Sequence, residues 1–211
     1  MKFNILIRNE DDFLFMRYQE YKRGELKVYP KVSSIPKGKD TKIAPDIDLL
    51  SISKKMNLIE GFELKYVWEK SPRLSFYSGL GQVLSYFRYG VDRAYLVLGL
   101  FNMDSNKMNK IENKFREYCL FLGPGILEKM PYLEINLFKE DRRGDINLLS
   151  RRTENQTKRF SVDDEISDKR FKNVKEEIIQ RRNFLLHINF GWAERWLRKR
   201  EKEFEASVRE K

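Results

Sequence analysis

Two carboxylates and a lysine, brought to one face at the ends of adjacent strands, can hold a divalent cation beside a water. The stretch 43–86 offers those groups. It contains the segments IAPDIDLLSI, LIEGFELKYV and SGLGQVLSYF. Asp46 and Asp48 stand in the first, Glu63 and Lys65 in the second, Gln82 and Tyr86 in the third. Oxygen ligands hold a hard ion that activates water, and an ammonium stabilises charge developing on a phosphate. The chemistry implied is hydrolysis of a phosphodiester.

An acid-x-Lys tripeptide carries no weight alone, because five begin here, at Glu20, Glu25, Asp40, Glu63 and Glu112. Context separates them. Only Glu63-Leu64-Lys65 lies inside a long apolar strand, with an Asp-bearing strand before it and a glutamine-bearing helix after it. Side chains two apart on a strand share a face, so Glu63 and Lys65 emerge together while Leu58, Phe62, Leu64 and Tyr66 take the opposite side. Asp46 and Asp48 likewise share a face with Leu50 and Ile52. Burying such charges is costly unless they pair with each other or bind an ion. A purely structural ion pair is the competing reading.

The elements that must position these groups can be read from periodicity and punctuation. Asn9 is placed to cap a helix over 10–22, with Glu10, Asp11 and Asp12 in its first turn. Strands are expected at 25–29, 46–52 and 57–67, the last two joined by the polar turn SKKM. The segment 30–42 carries two prolines with Lys31, Lys37, Lys39 and Lys42 and reads as a basic loop. Helical spacing over 74–90 puts Phe76, Leu80, Val83, Leu84 and Phe87 on an apolar face, with Ser78, Gln82, Tyr86 and Tyr89 opposite. The run AYLVLGLF at 94–101 suits a strand covered on both faces. A helix near 105–122 stops at GPG, and 132–138 is the last strand expected. The chain therefore divides into a core domain at 1–138, a charged linker or loop at 139–172, and a helical extension at 173–211 with a break at Gly191. The extension's apolar residues are expected to pack on the core or on a second subunit.

Composition narrows the class. Of 211 residues, 41% are hydrophobic and 13% aromatic, enough for a substantial core. Lys and Arg number 42 against 32 Asp and Glu, a formal charge of +10, which favours a polyanionic partner. One cysteine, Cys119, and one histidine, His187, rule out an intrachain disulfide and argue against zinc. No apolar run reaches membrane-spanning length, and MKFNILIRNEDD turns acidic too early for a secretion signal. The expectation is an intracellular, cytoplasmic protein, in a host's cytoplasm if the chain is viral.

Together these residues resemble the PD-(D/E)xK nuclease superfamily, the restriction-endonuclease-like fold that includes archaeal Holliday-junction resolvases. Pro45-Asp46 supplies the first pair, Glu63-Leu64-Lys65 the second element, and Gln82-x-x-x-Tyr86 is similar to the QxxxY motif of the recombination and repair branch. The resemblance covers about residues 5–101. Size and basicity also resemble small nuclease-like proteins of archaeal spindle-shaped viruses. The resemblance implies an α/β fold with a mixed central sheet flanked by helices. It implies Mg²⁺ or Mn²⁺ on an aspartate of the 45–48 segment and Glu63, with the Leu64 carbonyl as a further ligand. Lys65 would orient or help deprotonate the water, and Gln82 would support the site. Asp46 matches the namesake motif, whereas strand length favours Asp48. A further acid on the first helix is expected from Glu10, Asp12 or Glu20, with Glu10 chosen.

The resulting expectation is a metal-dependent DNA endonuclease, acting on branched or recombination and repair DNA and working as a homodimer. DNA contacts are expected from Tyr86, Lys37, Lys39, Lys42, Arg142 and Arg143. Arg151–Arg152 and the basic run Arg195, Arg198, Lys199 and Arg200 are further candidates. The alternatives are a catalytically silent nuclease fold that only binds DNA, and an RNA-directed nuclease.

Overall fold

A computed structural model describes residues 7–22, 27–32, 46–68, 76–122, 129–130, 132–141, 146–152, 159–187 and 191–209. The chain opens with α1 (Glu10–Tyr21), capped by the Asn9 side chain, which accepts the Asp12 N–H at 3.0 Å. Strands β1 (Lys27–Val32), β2 (Ile47–Ser53) and β3 (Leu58–Trp68) follow. Helix α2 (Phe76–Tyr86) runs into a 3-10 turn at Phe87–Tyr89 and leads to β4 (Arg93–Phe101). Then come α3 (Ser105–Leu122), β5 (Leu133–Glu140), β6 (Ile146–Arg152), the short α4 (Val162–Glu165), α5 (Lys172–His187) and α6 (Gly191–Arg209).

The six strands form one mixed sheet in sequence order. β1, β2 and β3 pair antiparallel, β3, β4 and β5 pair parallel through the α2 and α3 connections, and β6 returns antiparallel to β5. Strand alternation sorts the core onto two faces. Ile59 and Val67 of β3 join Leu96, Leu98 and Leu100 of β4 beneath α2, α3 and α5. Phe62 and Leu64 of the same strand join Val97 and Phe101 beneath α1. Glu63 and Lys65 therefore belong to the α2 face.

The α/β class and most element positions follow the sequence pattern, with three corrections. Residues 30–32 continue β1 instead of starting a loop. Pro30 is tolerated there because β1 is an edge strand, where a missing N–H need not break a ladder. The segment 139–172 is not a linker: it holds β6, α4 and a 3-10 turn at Lys169–Phe171. The sheet thus extends beyond residue 138. The third correction concerns the helix expected over 74–90: Tyr86 of α2 and Tyr89 of the 3-10 turn lie in the core and not on an outward stripe.

The helical extension packs on its own chain. Arg182 of α5 pairs with Asp92 at 2.8 Å, and Arg200 of α6 reaches Asp12 of α1 at 2.7 Å. Trp196 and Phe204 of α6 flank Phe15 of α1.

Candidate active site

The ladder between β2 and β3 runs from Ser53↔Leu58 to Leu49↔Phe62. The next step brings Asp48 opposite Glu63, where directly opposed side chains stand ~5 Å apart at Cβ. Here a side chain takes over from the backbone. The Leu64 N–H donates to Asp48 Oδ2 at 2.8 Å. That bond fixes the Asp48 carboxylate beside the β3 backbone, on the face that Glu63 and Lys65 share.

Glu63 is buried, with 1% of its surface exposed, and both its oxygens are engaged. Lys65 Nζ donates to Oε1 at 2.5 Å, and the Tyr86 hydroxyl donates to Oε2. The Tyr86 hydroxyl also lies 3.2 Å from the Asp46 carbonyl oxygen, so one phenol ties β3 to the start of β2. Two glycines permit the close approach of α2. A Cβ at Gly61 would stand 2.9 Å from the Tyr86 ring, and one at Gly79 would meet Leu96 at 2.7 Å and the Lys65 stem at 3.5 Å. Leaving out those methyls lets α2 sit on β3 and hold Tyr86 and Lys65 in place.

Burial and like charge shape the ionisation of this cluster. Asp48 is pushed up to about 7, first by burial and then by the Glu63 charge, with the Leu64 N–H acting the other way. Glu63 is also raised by burial, although its bonds to Lys65 and Tyr86 favour the ionised form. Burial would lower Lys65, but the bond to Glu63 and the nearby carboxylates raise it, so it stays an ammonium. Tyr86 is raised well above an ordinary phenol by burial and by Glu63, and remains a donor. With both acids ionised one cation would leave an excess of negative charge, which Asp48 avoids by holding its proton to about 7.

Compared with family models, curated proteins and solved structures, the chain matches none. The site must be judged on its own geometry.

Of the expected residues, Asp48, Glu63, Lys65, Leu64 and Tyr86 converge. Asp46 contributes its backbone carbonyl. Glu10, at the start of α1, acts electrostatically on Asp48, Glu63 and Lys65. Gln82 is half-buried on α2, one turn before Tyr86. The expected nucleic-acid contact by Tyr86 is corrected: its side chain is fully buried, and its hydroxyl serves Glu63. Arg200, expected in a basic patch, is engaged by Asp12 at 2.7 Å and Glu203 at 2.8 Å. Lys37, Lys39, Lys42, Arg142, Arg143 and Pro45 lie outside the described residues.

Among the described residues, no group of three or more His, Cys, Asp or Glu side chains is placed to hold a metal ion. The donor set still suits a hard ion. Mg²⁺ is commonly held by one or two carboxylates and keeps several waters, and Asp48 with Glu63 provides two carboxylates that carry surplus negative charge once Asp48 ionises. Also among the described residues, no helix is long and apolar enough to cross a membrane.

The sequence reading missed a second polar cluster on the α1 face. Glu60 accepts the Tyr95 hydroxyl at 2.8 Å and lies 3.8 Å from Arg93. Burial raises Glu60, while Tyr95 and Arg93 favour its ionised form. Its partners are distant in sequence, and only the β3–β4 register brings Arg93 opposite Glu60.

Proposed function

We propose that this protein is a divalent-metal-dependent DNA endonuclease of the PD-(D/E)xK type. The observation that carries the reading is the Asp48–Glu63 carboxylate pair at the open end of the β2–β3 ladder, with Lys65 and Tyr86 fixed on Glu63. Mg²⁺ or Mn²⁺ bound there supplies an activated water and neutralises phosphate charge. Asp48 and Glu63 would hold the ion, with the Leu64 carbonyl as the further ligand that the resemblance implies. Lys65 stands where an ammonium can orient the attacking water and stabilise charge on the phosphate. Tyr86 fixes the Glu63 rotamer through Oε2. The net charge of +10 supports a polyanionic substrate. A symmetric pair of chains would offer one such site to each strand of a duplex.

Cleavage tests this directly. Supercoiled, linear, branched and single-stranded DNA, with RNA alongside, are incubated with Mg²⁺, Mn²⁺ or EDTA. The expected result is metal-dependent cutting of DNA that disappears in Glu63→Ala and Lys65→Ala. Undiminished cutting in both variants overturns the site assignment. Sedimentation with and without duplex reads the oligomeric state.

A second reading is a catalytically silent nuclease fold that binds DNA. It is favoured by the saturation of both Glu63 oxygens within the protein and by the lack of a three-acid metal cluster among the described residues. Salt-sensitive DNA binding without Mn²⁺ binding selects it.

A further inference from the structure

We propose that Arg182 on α5 is a positioning residue for the candidate site, holding Tyr86 against Glu63 by clamping the ends of α2 and β3 together. The relevance of this clamp to metal binding rests on the nuclease reading above.

One guanidinium spans three segments. Arg182 Nη1 donates to the Gly90 carbonyl at 2.8 Å and pairs with Asp92 Oδ2 at 2.8 Å. Nη2 donates to the Asn57 carbonyl at 2.7 Å. Asp92 Oδ2 also accepts the Ile59 N–H at 2.6 Å. The turn before β3, the first residues of β3 and the link between α2 and β4 therefore meet at one ion pair. Its side chains are 19% and 10% exposed.

The clamp lies close to the site along both elements. Glu63 is four residues beyond Ile59 on β3, and Tyr86 is four residues before Gly90. Gly90 has a φ of 77°, and a Cβ there would stand 2.4 Å from Arg182 Cβ, so the turn rests directly on α5. The adjacent Arg181 donates to the Arg88 carbonyl at 3.3 Å and lies over the Tyr89 ring at 5.0 Å. The C-terminal end of α2 is thus gripped by a helix that carries none of the expected catalytic groups. Lysine cannot replace Arg182 fully, because one ammonium lacks the planar fork that serves three acceptors.

The test uses the full chain. Hydrogen–deuterium exchange compares wild type, Arg182→Met and Arg200→Met, the last breaking the ion pair to α1 on the opposite face. Arg182→Met is expected to raise exchange roughly tenfold in Gly61–Lys65 and in α2, whereas Arg200→Met leaves those segments unchanged. Mn²⁺ affinity is expected to fall roughly tenfold in Arg182→Met, with no further loss when Tyr86→Phe is already present. Arg182→Lys should recover part of both effects. Unchanged exchange at 61–65 in folded Arg182→Met, or affinity losses that simply add, overturns the proposal. Should Arg182→Met fail to fold, the same comparison is decided on Arg182→Lys. If wild type binds no Mn²⁺, the metal-nuclease reading fails, and exchange alone decides the clamp.

Discussion

On the α2 face, Glu63 takes a bond from the Tyr86 phenol and another from the Lys65 ammonium. On the α1 face, three residues earlier in the same strand, Glu60 takes a bond from the Tyr95 phenol and has Arg93 at 3.8 Å. Each face joins a glutamate, buried at Glu63 and half-buried at Glu60, with a tyrosine and a cation, so that trio does not by itself mark a site. The difference is Asp48. It adds a second carboxylate beside Glu63 and is pushed up to about 7 by burial and by Glu63. On Glu60 the Tyr95 bond and the Arg93 charge each outweigh the Asp92 and Glu134 charges, whereas on Asp48 the Glu63 charge ranks next after burial and ahead of Lys65. On the proposed reading, the second carboxylate at Asp48 is what would make a seat for a metal ion beside Glu63.

The sharpest way to break this comparison is to neutralise each glutamate. Glu63→Gln is expected to lower metal-dependent cleavage by a factor on the order of a thousand, because both the ion seat and the Lys65 anchor are lost. Glu60→Gln is expected to leave the cleavage rate nearly unchanged and to cost about 1 kcal/mol in urea unfolding, because the half-buried ion pair with Arg93 loses its charge. Equal losses of activity in the two variants would erase the distinction between the faces.

The next effect is in pH. Asp48 ionises at 3.8 as a free side chain and holds its proton to about 7 in the folded protein. A raised folded value means that its contribution to stability is full below pH 4 and is lost as the pH rises through 7. In metal-free buffer, Asp48→Asn should therefore gain about 1–3 kcal/mol relative to wild type at pH 8, and little at pH 4. Adding Mg²⁺ at pH 8 should raise the melting temperature of wild type but not of Asp48→Asn. A melting difference that does not change with pH counts against this account of Asp48.

Smaller effects separate the two phenols. Tyr86→Phe and Tyr95→Phe should each cost about 1–2 kcal/mol, since each leaves a carboxylate oxygen, buried at Glu63 and half-buried at Glu60, short of a donor. Only Tyr86→Phe should weaken Mn²⁺ binding, read by calorimetry. Gly61→Ala should act in the same direction as Tyr86→Phe, because its methyl would push the Tyr86 ring away from Glu63.

These contrasts also show which features were legible in the sequence. The helix–strand order through β5 follows from periodicity, and Glu63 with Lys65 follows from alternation within one apolar strand. β6 escaped because it is an edge strand whose first residues, Ile146, Asn147 and Leu148, are half-exposed or exposed and show no buried alternation. Tyr86 was given the wrong surroundings because its hydroxyl suggests a polar face. Its ring carries enough apolar area to sit in the core, and the hydroxyl then needs a buried acceptor. Glu60 was invisible because its partners arrive from β4. The α5 clamp was invisible too, since Arg182 contacts residues about 90 and 125 positions away.

The bond from the Leu64 N–H to Asp48 gives the site its own gauge. A backbone amide that donates to a carboxylate reports, through its proton resonance, every change in that carboxylate's charge. Loss of the Asp48 proton near neutral pH and arrival of a cation should each displace this one peak, in opposite or unequal measure. An amide labelled at a single leucine would let the state of the site be read without substrate, catalysis or a foreign probe.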